Sequence, residues 1–270
     1  MMAARPRLRL LHTSDVHLGA HDSSRGATDA SRALEAGFSA VIDAAIREGV
    51  DGMLIAGDFF DNARVRVETL EFAAAEIARF GRPVVIGPGN HDHVGPGSVY
   101  DRIDLIALAP NLHIIRDHAG ESVALDGLEV EVWGRPHTEQ VPDFSPFQGM
   151  PPRGDAAWQV AIGHGHFIHP RALLHHSFHI RREHLAASER DYVALGHWEV
   201  MTRVAAGDRT IAAYSGAPEG LSAAAGAPST VGGHALVVDL REDGSVRLTG
   251  VPLGEGEAIP HEALPHLEGL

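Results

Sequence analysis

The sequence predicts an α/β fold built on a mostly parallel sheet with helices on its faces. The first observation is that short apolar runs alternate with longer amphipathic ones over residues 8–109. The second is that residues 122–251 are richer in short strands joined by turn signals. Alternating strands and helices need crossover connections, and such connections produce parallel strands covered by helices.

Three strand–helix pairs are predicted in the first part of the chain. The first helix has the strongest pattern, because Leu34, Phe38 and Val41 recur at helical spacing and Gly49 suits its C-terminal cap. In chain order, the predicted elements are a strand at Leu8–His12, a helix at Thr28–Gly49, a strand at Met53–Ala56, a helix around Val67–Ile77, a strand at Pro83–Ile86 and a helix at Ser98–Ala109.

The second part of the chain is predicted to contain hairpins and two buried strands. Glycine and aspartate pairs between apolar runs are strong hairpin signals. The predicted hairpins join Ser122–Leu125 to Leu128–Trp133, Val204–Ala206 to Arg209–Tyr214, and Ala235–Leu240 to Val246–Val251, and the buried strands are Gln159–Ile162 and Tyr192–Leu195. We expect a single domain over 1–254, followed by an acidic, proline-containing tail at 255–270.

Composition narrows the functional classes. The 270 residues contain 22 Lys and Arg against 36 Asp and Glu, a net charge of −14, together with 19 His and no Cys. The absence of Cys excludes disulfides, thiolate nucleophiles and zinc sites built on Cys. No apolar run approaches a membrane span, no signal peptide is visible, and we expect a cytoplasmic protein. The negative charge argues against broad electrostatic adhesion to nucleic acid.

Five predicted strands are each followed by a short polar cluster. Ligands in open α/β sheets bind at the carboxyl ends of strands, so we expect these clusters to meet. They are Ser14-Asp15-Val16-His17, Gly57-Asp58, Gly89-Asn90-His91-Asp92, Gly163-His164-Gly165-His166 and Gly196-His197-Trp198-Glu199.

The residue types in these clusters point to metal binding. Each cluster has a Gly or Ser that allows a sharp turn, and each supplies oxygen or nitrogen ligands for hard or borderline divalent metals. The alternative is that they are ordinary loop residues and hydrogen-bonded histidines. One such cluster arises often by chance, whereas five in order favour a metal site.

The ordered motifs resemble those of the calcineurin-like metallophosphoesterases over about residues 8–252. This resemblance implies a four-layer αββα sandwich with a centre of two divalent metal ions. Three further strings resemble the SbcD-type DNA-repair exonucleases, without their capping domain. They are Gly57-Asp58-Phe59-Phe60-Asp61, Asp191-Tyr192-Val193-Ala194-Leu195-Gly196-His197 and Tyr214-Ser215-Gly216-Ala217-Pro218-Glu219. This branch implies DNA as the phosphate ester substrate, an SMC-like ATPase partner and a homodimer.

The resemblance also implies a role for each site residue. One ion would be held by Asp15 and His17, and Asp58 would bridge it to a second ion held by Asn90, His164 and His197. His91 would stand beside the leaving group, oriented by Asp92. Manganese is the expected metal, with iron, magnesium or zinc also compatible.

Glu199 departs from the family pattern, in which the last motif ends in a second His. By position Glu199 is expected to ligate the first ion, and its hard carboxylate favours Mn²⁺, Mg²⁺ or iron. Two alternatives remain: Glu199 points away or holds a water, which leaves that ion weakly bound, or the centre is degenerate and inactive.

Several other residues have open assignments. His166 could replace His164 as the ligand. His175 and His179 could bind a metal, although an exposed loop cluster is favoured. His12 is predicted to be a hydrogen-bonded core residue, and Trp198 is predicted either to pack beneath the metals or to stack on a base.

The expected chemistry is hydrolysis of a phosphodiester, with DNA as the leading substrate. A shared carboxylate offsets the repulsion between two ions, and water bound between them loses a proton near neutral pH. One alternative is a stand-alone phosphodiesterase or phosphatase for nucleotides or other small phosphate esters. Another, of a different class, is a non-catalytic module that binds a metal or a partner.

Overall fold

Two seven-stranded sheets packed face to face form the centre of the molecule in the computed structural model. The structure describes residues 5–20, 29–139, 143–168, 178–219 and 232–268. Helices cover the outer faces, so the predicted αββα architecture is confirmed. None of the described helices combines the length and the apolar character needed to cross a membrane.

Sixteen strands and four α-helices make up the described chain. The strands are β1 (Leu8–Thr13), β2 (Gly52–Ile55), β3 (Val84–Ile86), β4 (Leu112–Ile114), β5 (Glu121–Ala124), β6 (Val130–Gly134), β7 (Trp158–His164), β8 (His166–Phe167), β9 (His179–Ile180), β10 (Tyr192–Gly196), β11 (Thr202–Val204), β12 (Ile211–Tyr214), β13 (His234–Leu240), β14 (Val246–Pro252), β15 (Ile259–Pro260) and β16 (His266–Leu267). The helices are α1 (Asp29–Glu48), α2 (Val67–Phe80), α3 (Leu105–Leu108) and α4 (Arg182–Ala187).

Each large sheet combines a run of four parallel strands with antiparallel neighbours. The first sheet has the order β15-β14-β13-β1-β2-β3-β4, in which β1 to β4 run parallel. The second has the order β16-β11-β12-β10-β7-β6-β5, in which β6, β7, β10 and β12 run parallel. The predicted mostly parallel sheet is therefore two mixed sheets, because the hairpins of the second part add antiparallel strands to both.

Apolar side chains fill three layers between these elements. Phe38 of α1 and Leu70 of α2 belong to the layer beneath the helices, next to the first sheet. The layer between the sheets contains Leu10 and Val160, one from each sheet. His12 lies there too, with its Nδ1 2.8 Å from the Tyr192 hydroxyl, which confirms the prediction of a hydrogen-bonded core histidine.

Two segments differ from the sequence-based expectation. The helix predicted at Ser98–Ala109 is a 3₁₀ turn at Val99–Asp101 and the short α3, because the Asp104 carboxylate accepts the Ala107 N–H at 3.0 Å and starts a new helix there. The segment 255–268 pairs with both sheets: β15 adds to β14, and β16 adds to β11.

Candidate metal centre

The loops that follow β1, β2 and β10 meet at one edge of the two sheets. The main-chain N–H of Asp15 donates to the Gly57 carbonyl at 3.0 Å, and that of His17 donates to the Asp58 carbonyl at 2.9 Å. The loop after β10 joins them, because the His197 N–H donates to the Asp15 carboxylate at 3.0 Å. The convergence expected at the carboxyl ends of parallel strands is therefore present.

Four of the predicted site residues have left-handed backbone conformations. The φ angles are +54° at Asp15, +50° at His17, +50° at Asp58 and +107° at His197. A non-glycine residue in this region costs on the order of 1–3 kcal/mol, and such residues cluster at functional sites. Their concentration here indicates a loop geometry maintained for the placement of these side chains.

His164 is almost completely buried within the site. Its Nδ1–H donates to the Ala56 carbonyl at 2.9 Å, which leaves Nε2 facing the other loops. Nε2 lies 3.2 Å from Asp58 Oδ2 and 3.1 Å from Asn90 Oδ1. The side chain of His164 is 1% exposed, so its position is set by protein contacts.

Glycines in the motifs make room for this imidazole. A Cβ on Gly57 would lie 2.3 Å from His164 Nδ1, and Gly57 itself has a φ of +83°. A Cβ on Gly196 would lie 1.7 Å from the Ala56 carbonyl oxygen and 2.8 Å from His164 Nδ1. Larger residues at these positions would displace the ring or the loops around it.

The donor set around His164 fits a divalent cation. With Nδ1 as the N–H group, Nε2 faces two oxygen atoms, and either a proton on Nε2 or a metal ion beside it offsets the repulsion of their lone pairs. Burial by itself would lower the pKa of His164, but the Asp58 carboxylate outweighs it and raises the pKa to about 9. Burial raises the pKa of Asp58, yet His164 and His17 bring it below its usual value.

His197 completes a group of three potential ligands with Asp58 and His164, whose donor atoms lie within 4.8 Å of one another. Burial, together with the charge of His164, lowers the pKa of His197 to about 3. A neutral imidazole has a lone pair for a metal ion, so His197 is in the form that ligation requires. The structure thus brings together Asp58, Asn90, His164 and His197, the set predicted for the second ion.

A second group shares Asp58 and contains His17 and His91. His17 Nε2 lies 3.9 Å from Asp58 Oδ2, and the rings of His17 and His91 meet edge to face with centroids 4.8 Å apart. Burial lowers the pKa of His17, but Asp61 and Asp58 together raise it above its usual value. The sequence placed Asp15 in this set, and its buried carboxylate lies beside the group, where it accepts the His197 N–H.

Asp61, rather than Asp92, holds the ring of His91. The His91 Nδ1–H donates to the Asp61 carbonyl at 2.8 Å, and the Asp61 carboxylate lies 3.4 Å from His17 Nδ1. The carboxylate of Asp92 instead accepts N–H groups of the loops after β2 and β3, and the Tyr100 hydroxyl at 2.6 Å. The prediction that Asp92 orients His91 is therefore wrong, because that carboxylate is buried among main-chain donors.

Glu199 belongs to neither group of potential ligands in the described part of the chain. Its main-chain carbonyl accepts the Ala217 N–H at 3.1 Å, which fixes the local chain direction. The residue lines a neighbouring cavity of about 250 Å³ with Ser215, Gly216 and His234. The structure therefore does not bring Glu199 together with Asp15, His17 and Asp58 as expected from its position in the motif.

The other histidines of the fourth and fifth motifs have distinct places. His166 Nδ1 accepts the Trp198 indole N–H at 3.0 Å. Trp198 stacks on Tyr214 with ring centroids 4.6 Å apart and an interplanar angle of 10°. This stack supports the packing alternative for Trp198, and His164 rather than His166 lies in the metal-binding group. His179 is exposed on β9, while His175 lies outside the described residues.

Asp61 and His137 belong to the site, although no motif in the sequence gave either of them a role. Asp61 stands in the quoted string after β2, but its contacts with two histidines depend on how that loop turns. The buried His137 donates from Nε2 to the His164 carbonyl at 2.8 Å and follows β6, whose end lies beside β7. The signal for His137 was the same as for the other five clusters, a polar residue shortly after a buried strand.

Comparisons with known sequences agree with this geometry. A family model described as calcineurin-like phosphoesterase matches residues 8–201. The chain is 24% identical to the DNA double-strand break repair protein Mre11 of Saccharolobus solfataricus over 243 residues, covering 78% of this chain and 55% of that protein. It is 26% identical to Mre11 of Methanopyrus kandleri over 231 residues, covering 80% of this chain and 49% of that protein. The chain thus spans about half the length of these relatives.

A shorter match and two solved structures complete the comparison. The uncharacterized metallophosphoesterase YhaO of Bacillus subtilis is 36% identical over 97 residues, which cover 33% of this chain and 24% of that protein. TT1561 of Thermus thermophilus superposes with a TM-score of 0.57 at 11% identity, covering 92% of this chain and all of that one. Purple acid phosphatase PPD1 from yellow lupin (Lupinus luteus) seeds superposes with a TM-score of 0.52 at 11% identity, covering 98% of this chain and 54% of that one. These two likenesses show the shared fold.

Proposed function

Because the chain belongs to the calcineurin-like phosphoesterase family and is a hydrolytic metallophosphoesterase, we propose that it cleaves phosphodiester bonds in DNA. The observation that carries the DNA assignment is the alignment with two double-strand break repair proteins over about four fifths of the chain. The strings around Asp58, His197 and Tyr214 support the same branch.

We assign the ligands of two divalent ions from the two groups that share Asp58. Asn90, His164 and His197 would hold one ion with Asp58. His17 would hold the other with Asp58, joined by Asp15 from the sequence motif, whose carboxylate is in neither group among the described residues. Two ions at such a centre supply an activated water and neutralise charge on the phosphoryl group. Manganese is the proposed metal, because the set mixes carboxylate and amide oxygens with imidazole nitrogens.

His91 is the residue proposed to supply the proton that the leaving group needs. His91 is a partly accessible imidazole of the centre, with 39% of its side chain exposed. Since its Nδ1–H is bound to the Asp61 carbonyl, its Nε2 is the atom that can reach a substrate oxygen. In its protonated form His91 would donate from Nε2 to the departing alkoxide, the role of a general acid.

A small phosphate ester is the second candidate substrate, and the net charge of −14 favours it. A long DNA track needs an extended basic surface, whereas a small ester needs a local positive site. Asp15 and Asp58 contribute two negative charges to the centre, so two divalent ions would give it a net positive charge. This charge reversal suits a phosphate of either size.

A substrate panel separates the two candidates. Protein loaded with Mn²⁺ is incubated with single-stranded and double-stranded oligonucleotides, with bis(p-nitrophenyl) phosphate and with p-nitrophenyl phosphate. The proposal expects release of nucleotides from an oligonucleotide, and His91→Ala should lower that rate by about 10²- to 10⁴-fold. Turnover of the two small esters without any oligonucleotide cleavage would transfer the assignment to the second candidate.

Three further proposals follow from the same branch. An SMC-like ATPase would be the partner, the chain would form a homodimer, and the compartment would be the cytoplasm. The phosphoesterase domain itself would be formed by residues 1–254, with β15 and β16 of the following segment added to the edges of its two sheets. Light scattering on the purified chain tests the dimer directly, because a monomeric mass at high protein concentration contradicts it.

A further inference from the structure

The two groups of ligands that share Asp58 differ in how firmly the protein holds them. His164 is fixed by the Ala56 carbonyl and by the glycines around its ring, and its side chain is 1% exposed. His17, the imidazole ligand in the other group, has its Nδ1 3.4 Å from the Asp61 carboxylate, a longer contact than the 2.9 Å hydrogen bond that fixes His164. A ligand held in place before the ion arrives loses less freedom on binding, so the group around His164 is the better preorganised.

The distances within the groups differ in the same direction. His164 Nε2 lies 3.2 Å from the shared carboxylate oxygen of Asp58, whereas His17 Nε2 lies 3.9 Å from it. Asn90 adds a neutral oxygen to the His164 side at 3.1 Å. On the His17 side, both oxygens of the Asp15 carboxylate accept the His197 N–H, at 3.1 and 3.0 Å. A metal ion there would compete with that hydrogen bond.

The His17 side lacks the ligand that the family pattern has at position 199, because Glu199 lies outside both groups in the described residues. The pocket already contains the carboxylates of Asp15, Asp58 and Asp61, and a further carboxylate would add to their mutual repulsion. Glu199 instead lines the cavity formed with Ser215 and His234. The neutral imidazole that the family pattern has at this position would not face that repulsion.

We propose that the chain binds one divalent ion tightly at Asp58, His164 and His197, and a second weakly at Asp15, His17 and Asp58, with Glu199 outside the coordination of both. This inference rests on the two-ion centre of the proposed function. It implies that the protein keeps one ion through purification and takes up the second from solution, so activity would depend on added metal.

A titration of Mn²⁺ into the chelator-treated chain of 270 residues tests the proposal without any substrate. The free hydrated ion is followed by electron paramagnetic resonance. We expect two classes of sites whose dissociation constants differ by about tenfold or more. Two ions that bind with the same constant would overturn the proposal.

Three variants assign the classes. His164→Ala should remove the tight class, whereas His17→Ala should remove the weak class and keep one tightly bound ion. Glu199→Gln keeps the size of the side chain but removes its charge, and should leave both constants unchanged. A weaker second ion in Glu199→Gln would show that Glu199 is a ligand and would overturn the proposal. Far-UV circular dichroism confirms that each variant is folded.

The binding result and the proposed activity can fail separately. A protein with two unequal classes of Mn²⁺ sites that cleaves none of the esters would refute the function and leave the inference standing. A protein that cleaves DNA but binds two ions with equal affinity would support the proposed function and refute the inference.

Discussion

The carboxylate of Asp92 accepts the main-chain N–H of Asp58 at 3.1 Å, and this bond joins the loop after β3 to the loop after β2. The same carboxylate accepts the N–H groups of Gly89 at 2.7 Å and Phe59 at 2.8 Å. Asp92 is 1% exposed, so these bonds are shielded from water. Asp92 therefore fixes the backbone that presents Asp58, although Asp92 itself belongs to neither group of potential ligands in the described residues.

Replacing Asp92 with Asn should destabilise the protein and loosen both metal sites. The amide would turn one N–H₂ group toward donors that need an acceptor, at a cost of about 1–3 kcal/mol for a buried unsatisfied group. Urea unfolding of metal-free protein measures the change. Asp101→Asn is the matched control, because the exposed Asp101–Arg116 pair contributes at most about 1 kcal/mol. Equal losses in the two variants would contradict the role given to Asp92.

Gly196 should tolerate no side chain. A Cβ there would lie 1.7 Å from the Ala56 carbonyl oxygen, the acceptor that fixes His164. We expect Gly196→Ala to cost about 1–3 kcal/mol or more, as for other overpacked sites, and to reduce metal binding at His164. Gly254→Ala is the control, because a Cβ on Gly254 would meet nothing within 4 Å. Thermal unfolding and Mn²⁺ binding are measured for both variants. A Gly196→Ala protein that remains stable and binds Mn²⁺ would contradict the expectation, because the loops would then have moved to accommodate the methyl group.

The metal-binding side of the fold was predictable because its cause is topological. Parallel strands bring their carboxyl ends to one edge, so polar clusters after β1, β2, β7 and β10 were expected to meet, and they do. Alternation and spacing also located α1 within a residue of its observed bounds where the chain is described. These signals are local in sequence, and local patterns determine which residues reach the edge.

Side-chain directions at that edge were not predictable from spacing. The left-handed conformations of Asp15, His17 and Asp58 turn each following residue in a direction that no periodic pattern describes. The Asp61 contacts with His17 and His91, and the position of Glu199, both depend on such turns. The pairing of β15 and β16 with two different sheets likewise depends on long-range packing, since each strand is two residues long.

Asp61 should act on metal binding through His17. Its carboxylate lies 3.4 Å from His17 Nδ1, and a carboxylate behind a ligating imidazole fixes the ring and raises its basicity. Asp61→Asn should weaken the ion at His17 by about 10- to 100-fold and leave the ion at His164 unchanged. The main-chain contact with His91 remains in this variant. Asp126→Asn, in the exposed turn between β5 and β6, serves as the control for the loss of one negative charge. Equal Mn²⁺ affinities in the two variants would contradict this role.

The stability of the metal-free protein should fall as pH rises from about 6.5 to about 9. Burial opposes the charged form of His164, but Asp58 raises its folded pKa to about 9, above the unfolded value of 6.5. A group with a raised folded pKa contributes its full stability below the unfolded pKa and loses it as pH passes the folded one. His12, His137 and His197 have pKa values lowered to about 3 by burial, so they titrate below this range.

Thermal unfolding of chelator-treated protein between pH 6 and 9.5 measures this dependence. The raised pKa of His17 acts in the same direction, so the contribution of His164 is the difference between the wild-type protein and His164→Gln. The exposed His179, changed to Gln, controls for the loss of an imidazole. A metal ion needs the neutral form of His164, so Mn²⁺ affinity should rise over the same range in which metal-free stability falls. If the wild-type protein and His164→Gln lose stability equally between pH 6.5 and 9, the coupling between His164 and Asp58 is absent.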